Sequence, residues 1–333
     1  MISLLIEFGA DISQFNSVGE SALTLAVTEG RLKSVRLLVE NGAQINHVDT
    51  AGCSPLVHAA IHGYLNILEF LVSDDWTACS QLQLLEAVQQ AAVASSSADN
   101  VEVLDFLLDM SEVMIDSEDT RMRETPLVAA ASRGSKDCLD SLLRRGASVN
   151  AENWEQKSAL HLAGSKGHWS CCEILIKAGS DVNLGDMKGR SVLMMAGIEG
   201  YLGVVSLLVA SHAAIDKSDD DGVTAVMSAC AHGQLETVRY LVDQGADITH
   251  ADNTGRTALD LAAEQGNCEL VRLLLDHGAI MEHVDIHGIR PLDRAVKQAN
   301  TEVVTCLLKT GSKLEPSTWA AAAQQLTDQR SLK

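Results

Sequence analysis

Glycine returns every 33 residues, at Gly189, Gly222, Gly255 and Gly288, and each copy is followed by a Thr, Ser or Arg that steps into an apolar stretch. The step reads Thr257-Ala258-Leu259 in one copy and Arg290-Pro291-Leu292 in the next. A unit of this length cannot bury its apolar face alone, so the chain must fold as a stack of similar units. The frame extends backwards through Gly19 and Gly52, and through Arg123 and Gln156, which stand where the others have glycine. Losing glycine there predicts two turns held in a less comfortable backbone geometry.

A second landmark repeats out of phase with the first. Gly42-Ala43-Gln44-Ile45-Asn46, Gly146-Ala147-Ser148-Val149-Asn150, Gly179-Ser180-Asp181-Val182-Asn183 and Gly245-Ala246-Asp247-Ile248 each end an amphipathic stretch, such as that carrying Val238, Leu241 and Val242. Glycine past the last helical turn takes the left-handed backbone that stops a helix. Each unit therefore reads as helix, loop, helix and projecting turn. The first helix is small, as at Ala262 and Ala263, and the second bulky, as at Leu270, Val271, Leu273, Leu274 and Leu275. Pro55, Pro126 and Pro291 fall at the opening of first helices, where a missing N–H costs little. Phe70 and Tyr240 read as core, and Trp169, Tyr64 and Tyr201 as covers over the seams between units.

The period and these steps resemble the ankyrin repeat family. The fold class expected is all-α, an ankyrin-repeat solenoid of paired antiparallel helices with projecting β-hairpin fingers. One domain is expected over 1–333, with nine full repeats within about 13–314 and partial repeats at 1–12 and 315–333. Met1 to Ile12 reads as the end of a second helix with its finger, so a start inside a repeat is expected. The third repeat is irregular, and extra sequence is placed between its helices near 89–100. The Ala- and Ser-rich run from Ala91 to Asn100 reads as a helix extension followed by a loop. A tolerated insertion and a docking loop both remain open for it.

Composition limits the partners. Lys and Arg number 25 against 45 Asp and Glu, a net charge of −20, which disfavours nucleic acid and anionic lipid and favours basic or mixed-charge proteins. The eight cysteines are scattered without a CxxC pair, as in a reduced cytoplasmic protein. His168 with Cys171 and Cys172, and Cys230 with His232, each lack a second half of a metal site, so no metal or cofactor is expected. No secretory leader, uninterrupted apolar span, phosphate loop, HExxH or GxSxG is present. Neither membrane insertion nor enzymatic activity is expected. Asp260 and Asp293 stand at equivalent helix starts one period apart and do not read as a catalytic dyad.

The expected function is binding of a protein or peptide, and the geometry of such repeats places candidate contacts on the fingers and the exposed ends of first helices. These are Arg133, Trp154, Glu155, Lys157, Lys166, Lys188, Arg190, Asp221, His232 and Arg256, a strip that reads as locally basic. Trp154 is the sharpest candidate, because an indole at a finger tip serves either ligand contact or packing on the neighbouring finger. The alternative function is a structural spacer, or a domain that packs on other parts of its own protein.

The run Leu274-Leu275-Asp276-His277-Gly278-Ala279, then Glu282-His283-Val284-Asp285, Gly288 to Ala295, and Leu314 to Ala320, resembles the C-terminal ankyrin segment of the TANC and rolling pebbles scaffold proteins. The resemblance implies a cytoplasmic, non-enzymatic scaffold module at a postsynaptic density or cell junction, with cytoskeletal, synaptic or junctional partners. It also implies that the chain is the central part of a larger protein. The ATPase-like region and PDZ-binding tail of that family have no counterpart among these residues.

Overall fold

The computed structural model describes residues 2–73, 81–110, 114–119 and 122–331. Cys79, and the expected repeat boundary beside it, lie outside the described residues. The first helices are α1 (Ile2–Glu7), α2 (Ala22–Thr28), α3 (Leu32–Glu40), α4 (Pro55–Ile61), α5 (Leu65–Val72), α6 (Gln81–Ser97), α7 (Val101–Asp109), α8 (Pro126–Arg133) and α9 (Lys136–Arg144). They are followed by α10 (Ala159–Ser165), α11 (Trp169–Lys177), α12 (Val192–Glu199), α13 (Leu202–Ala210), α14 (Ala225–Ala231) and α15 (Leu235–Asp243). The last are α16 (Ala258–Gln265), α17 (Cys268–Asp276), α18 (Pro291–Lys297), α19 (Thr301–Thr310) and α20 (Pro316–Ser331).

The chain divides into two compact units, Met1–Ala163 with Glu173–Ser180, and Gly164–Cys172 with Asp181–Lys333. In the first, the helices α2, α4, α6 and α8 pack in succession, and α3, α5, α7 and α9 form the second row. In the second, α12, α14, α16, α18 and α20 form one row and α13, α15, α17 and α19 the other. Small residues make the first row close. Ala59, Ala60, Ala129 and Ala130 in one unit, and Ala229, Ala262 and Ala263 in the other, are wholly buried. The second row contributes bulk, with Leu68, Leu104 and Leu139, or Leu241, Leu270 and Leu274, also wholly buried. Such side chains supply the hydrophobic term, about 1.5 to 3 kcal/mol for each one fully withdrawn from water.

Helix starts follow the local chemistry. Pro55, Pro126 and Pro291 stand in the first turn of α4, α8 and α18. Ser54 and Thr125 accept the N–H of Val57 and Val128 at 3.3 Å each, satisfying donors that the helix leaves unpaired. Asp260 in α16 accepts both the N–H and the hydroxyl of Thr257. Asp293 does the equivalent for the Arg290 N–H, so both aspartates close helix ends.

The projecting segments expected as β-hairpins are tight turns. Among the described residues there is no strand, only the isolated bridges Phe15–Ser21, Glu152–Ser158 and Gly185–Ser191. The reason is a side chain at each turn. Asp186 Oδ1 accepts the N–H groups of Lys188 and Arg190, and Asp252 Oδ1 those of Thr254 and Arg256, so the turn closes on a carboxylate before a ladder can grow.

The Ala- and Ser-rich run of the third repeat is helical as far as Ser97, with three residues between it and α7. Asn100 at the head of α7 donates to the carbonyls of Ala60 and Ile61. Asn300 at the head of α19 makes the same pair of bonds to Ala263 and Glu264, which fixes the register. Phe70 and Tyr240 are half-buried rather than core, and Arg36 lies over the Phe70 ring at 4.9 Å. Tyr64 and Tyr201 do cover seams. Their rings sit so close to Gly30 and Gly167 that an added Cβ would approach within 2.9 Å.

Arg123 and Gln156 hold φ of 52° and 56°, in the region glycine occupies at the equivalent turns. A side chain there costs about 1 to 2 kcal/mol. Gln156→Gly is therefore expected to raise stability by about 1 kcal/mol, since part of the relief is returned through the freer unfolded chain. Urea unfolding followed by circular dichroism checks it, and an unchanged or lower midpoint refutes it.

Candidate functional site

Adjacent turns are tied to one another through the backbone. In the first unit Trp154 N–H donates to Met122 O at 3.3 Å and Thr50 N–H to Val18 O at 3.1 Å. In the second, Asp220 N–H bonds Lys188 O, Asn253 N–H bonds Asp221 O and Ile286 N–H bonds Thr254 O. Histidines add a second tie. His250 Nε2 meets Gly222 O at 2.9 Å and His283 Nε2 meets Gly255 O at 2.7 Å, as His47 meets Gly19 in the first unit. Side chains at the turn tips are thus displayed from a fixed backbone.

Of the predicted contacts, Arg133, Trp154, Glu155 and Lys157 belong to the first unit. Lys166, Lys188, Arg190, Asp221, His232 and Arg256 belong to the second. The Trp154 backbone is the tie to the neighbouring turn, while the residue stays 49% exposed. Lys157 Nζ is paired with Glu155 Oε2 at 2.8 Å. Glu124, half-buried and unremarked in the sequence reading, lies between Arg133 and Glu155. Burial first, then the Asp119 and Glu155 charges, push its carboxyl above the usual range against the pull of Arg133 and Asn153.

Of these groups, Glu124 and Arg133 border a groove of about 560 Å³ in the first unit. Val57 and Ile61 of α4 and Val93, Ala94 and Ala98 at the end of α6 give it an apolar floor. Asp119, Glu124, Arg133, Gly52 and Cys53 complete its lining. Ile61 is 38% exposed, so the floor presents apolar surface to solvent.

The second unit is different. Lys166 and Lys188 are exposed. Arg190 and Arg256, however, are committed to their own turns. Arg190 donates to Asp186 Oδ2 through Nε and Nη2, at 3.0 and 2.7 Å, and Arg256 Nε donates to Asp252 Oδ2 at 2.8 Å. The carboxylate four residues earlier in the chain is the signal that could have revealed this. Asp221 serves through its carbonyl, as above, and His232 Nδ1 meets Ser228 O at 2.9 Å. His232 borders a shallow depression with Gln265, Asn267 and Glu302.

Burial would raise the Asp186 carboxyl, but the Arg190 guanidinium and two backbone N–H groups outweigh it and hold the group below the usual carboxylate range. Its stabilising contribution is complete above the unfolded value, about 3.9, and is lost as pH falls through the lower folded value. Arg190→Ala removes charged hydrogen bonds worth about 1.5 to 3 kcal/mol. The expected result is a lower unfolding midpoint at neutral pH and an acid transition shifted upward, read by circular dichroism. An unchanged acid limb would show that the pair is idle.

Among the described residues no helix is long and apolar enough to cross a membrane. The family model for ankyrin repeats (3 copies) matches residues 1–81, 90–186, 178–252 and 248–318. Among solved structures, the crystal structure of the human ASB11 ankyrin repeat domain is similar at 24% identity and a TM-score of 0.61, covering 67% of this chain and 99% of that one.

Proposed function

We propose a protein-docking role for this chain, which belongs to the ankyrin-repeat family, with the groove of its first unit as the docking site. The observation that carries the reading is one groove in which the exposed Ile61 and Ala98 lie with the Glu124, Asp119 and Arg133 rim. The exposed Trp154 stands on the turn beside that rim, and Glu124 responds to both Arg133 and Glu155. Apolar side chains of a bound helix or extended segment would cover Ile61 and Ala98. A basic side chain would meet Glu124, relieving the crowding of carboxylates there. The net charge of −20 agrees with a basic or mixed-charge polypeptide.

Preorganisation gives the mechanism. Turns tied by backbone bonds lose little freedom on binding, so several modest contacts add to useful affinity. The aromatic anchor contributes most, as interface hot spots do. The resemblance of 274–320 to TANC and rolling pebbles proteins supports a scaffold role in the cytoplasm near a postsynaptic or junctional site. Lys166 and Lys188 are exposed candidates of the second unit taken by itself. Arg190, Asp221, His232 and Arg256 would contribute chiefly by holding turns in place.

The test is a selection of peptides from a random library on the intact chain, with affinities then measured for the chain, Trp154→Ala and Glu124→Gln. Enrichment of basic, apolar-patterned peptides that lose more than about tenfold affinity with either variant supports the reading. Selected peptides indifferent to both variants would move binding off this face. No enrichment at all would favour a spacer, or a domain that packs within its own protein.

A further inference from the structure

The aspartate that closes a turn commits Oδ1 to backbone N–H groups, and in three turns its Oδ2 faces a guanidinium. Arg190 and Arg256 reach Asp186 and Asp252 from four residues on, and Arg294 reaches Asp285 from nine residues on. The turn at Asp49 has neither arginine. At the same two offsets it carries Cys53 and His58. Asp49 Oδ1 accepts the N–H groups of Ala51 and Cys53 at 2.9 Å, as in the other turns, and His58 Nε2 lies 2.8 Å from Oδ2. A carboxylate oxygen, the Cys53 sulfur and a His58 ring nitrogen all fall within 4.8 Å of one another.

We infer that Asp49, Cys53 and His58 form a zinc site, in which the metal ion takes the place that a guanidinium fills in those three turns. Sulfur, imidazole nitrogen and carboxylate oxygen together suit Zn²⁺ and disfavour Mg²⁺ or Ca²⁺, which want oxygen alone. Tetrahedral zinc sets its nitrogen and oxygen ligands about 3.3 Å apart, so His58 and Asp49 need separate by only about 0.5 Å. The bonds to Asp49 Oδ1 survive that movement and keep the carboxylate aimed. Binding releases the Cys53 thiol proton to solvent, and His58 coordinates through Nε2 with its remaining proton on Nδ1. Cys53 also borders the groove, so a fourth ligand can come from water or from the polypeptide held there.

The cysteine and histidine pairs singled out in the sequence do not include these residues, because the offsets gain meaning only beside the arginine turns. Buried thiols compete poorly for metal. Burial pushes Cys172 up to about 12, and Cys138 and Cys230 are raised further.

The experiment is titration of the reduced, metal-stripped chain with Co²⁺, followed by displacement with Zn²⁺. Cobalt bound to a thiolate shows a sulfur-to-metal charge-transfer absorption. The expected result is a stoichiometric band that zinc abolishes, with affinity reduced by more than about tenfold in Cys53→Ser and in His58→Gln. Glutamine retains a donor toward Asp49, and circular dichroism checks that both variants fold. No band in the parent chain, or a band of unchanged affinity in either variant, overturns the site.

Discussion

Replacing Asp293 with alanine is expected to destabilise the C-terminal helices by about 3 to 5 kcal/mol, because it leaves the Arg290 guanidinium buried with its main counter-charge removed. Arg290 and Asp293 side chains are each only 3% exposed and meet at 3.1 Å. Thr318 of α20 donates to Asp293 Oδ1 at 2.8 Å and accepts from Arg290 Nη2 at the same distance, while Arg290 Nη1 bonds Glu282 and the Lys313 carbonyl. One charge pair thus fastens α18, the preceding turn and α20 together. Urea unfolding followed by circular dichroism should show an early transition in Asp293→Ala. Glu315→Ala should move the midpoint by less than about 1 kcal/mol, since that carboxylate is 52% exposed and 3.8 Å from Arg290. Because buried ion pairs repay their desolvation poorly, Arg290→Met with Asp293→Leu is expected to recover most of the loss. Equal effects of Asp293→Ala and Glu315→Ala would show that burial gives the pair no special weight.

This pair also shows where a sequence can be read and where it cannot. The position of Asp293 at a helix start follows from the period. That the residue before Pro291 is an arginine able to reach Thr318 depends on the next unit folding back beside it, which no local pattern states. The same limit applies to the candidate site. Trp154 is legible as an unusual residue at a turn tip, yet the importance of Glu124 arises only when α8 and the Asn153 turn bring Arg133 and Glu155 to it. Arg190 and Arg256 read as members of a basic strip because the strip was defined by spacing. Each has a carboxylate four residues earlier, at Asp186 and Asp252, and that spacing is the local signal of the pairing. Ser95 and Ser96 belong to the run that reads as a helix extension followed by a loop. Inside α6 both hydroxyls turn back on the Ala92 carbonyl and are wholly buried, so tertiary packing overrides their preference for turns.

The period of glycines, by contrast, states its own physical cause, and it predicts a second large effect. Gly222 holds φ at 78°, and a Cβ built there would stand 2.9 Å from the Asn253 peptide nitrogen and 3.2 Å from the Asp252 Cα. Asn253 N–H is the donor that ties its turn to Asp221 O, and Asn253 Nδ2 adds a bond to Asp220 O at 2.8 Å. Gly222→Ala therefore pays twice, about 1 to 2 kcal/mol for the left-handed backbone and about 1 to 3 kcal/mol for displacing packed backbone. Gly288 has nearly the same φ, 73°, with nothing within 4 Å of the added Cβ. Gly288→Ala should carry the first cost alone. The difference between the two variants, measured by urea unfolding, isolates the turn-to-turn tie from the conformational preference. Hydrogen exchange adds a local readout, with Asn253 N–H losing protection in Gly222→Ala and keeping it in Gly288→Ala. Equal midpoints would mean that the glycine period records backbone conformation only. A larger loss at Gly222 would mean that the period also records how closely successive turns must approach, and that approach is what fixes the display of side chains at their tips.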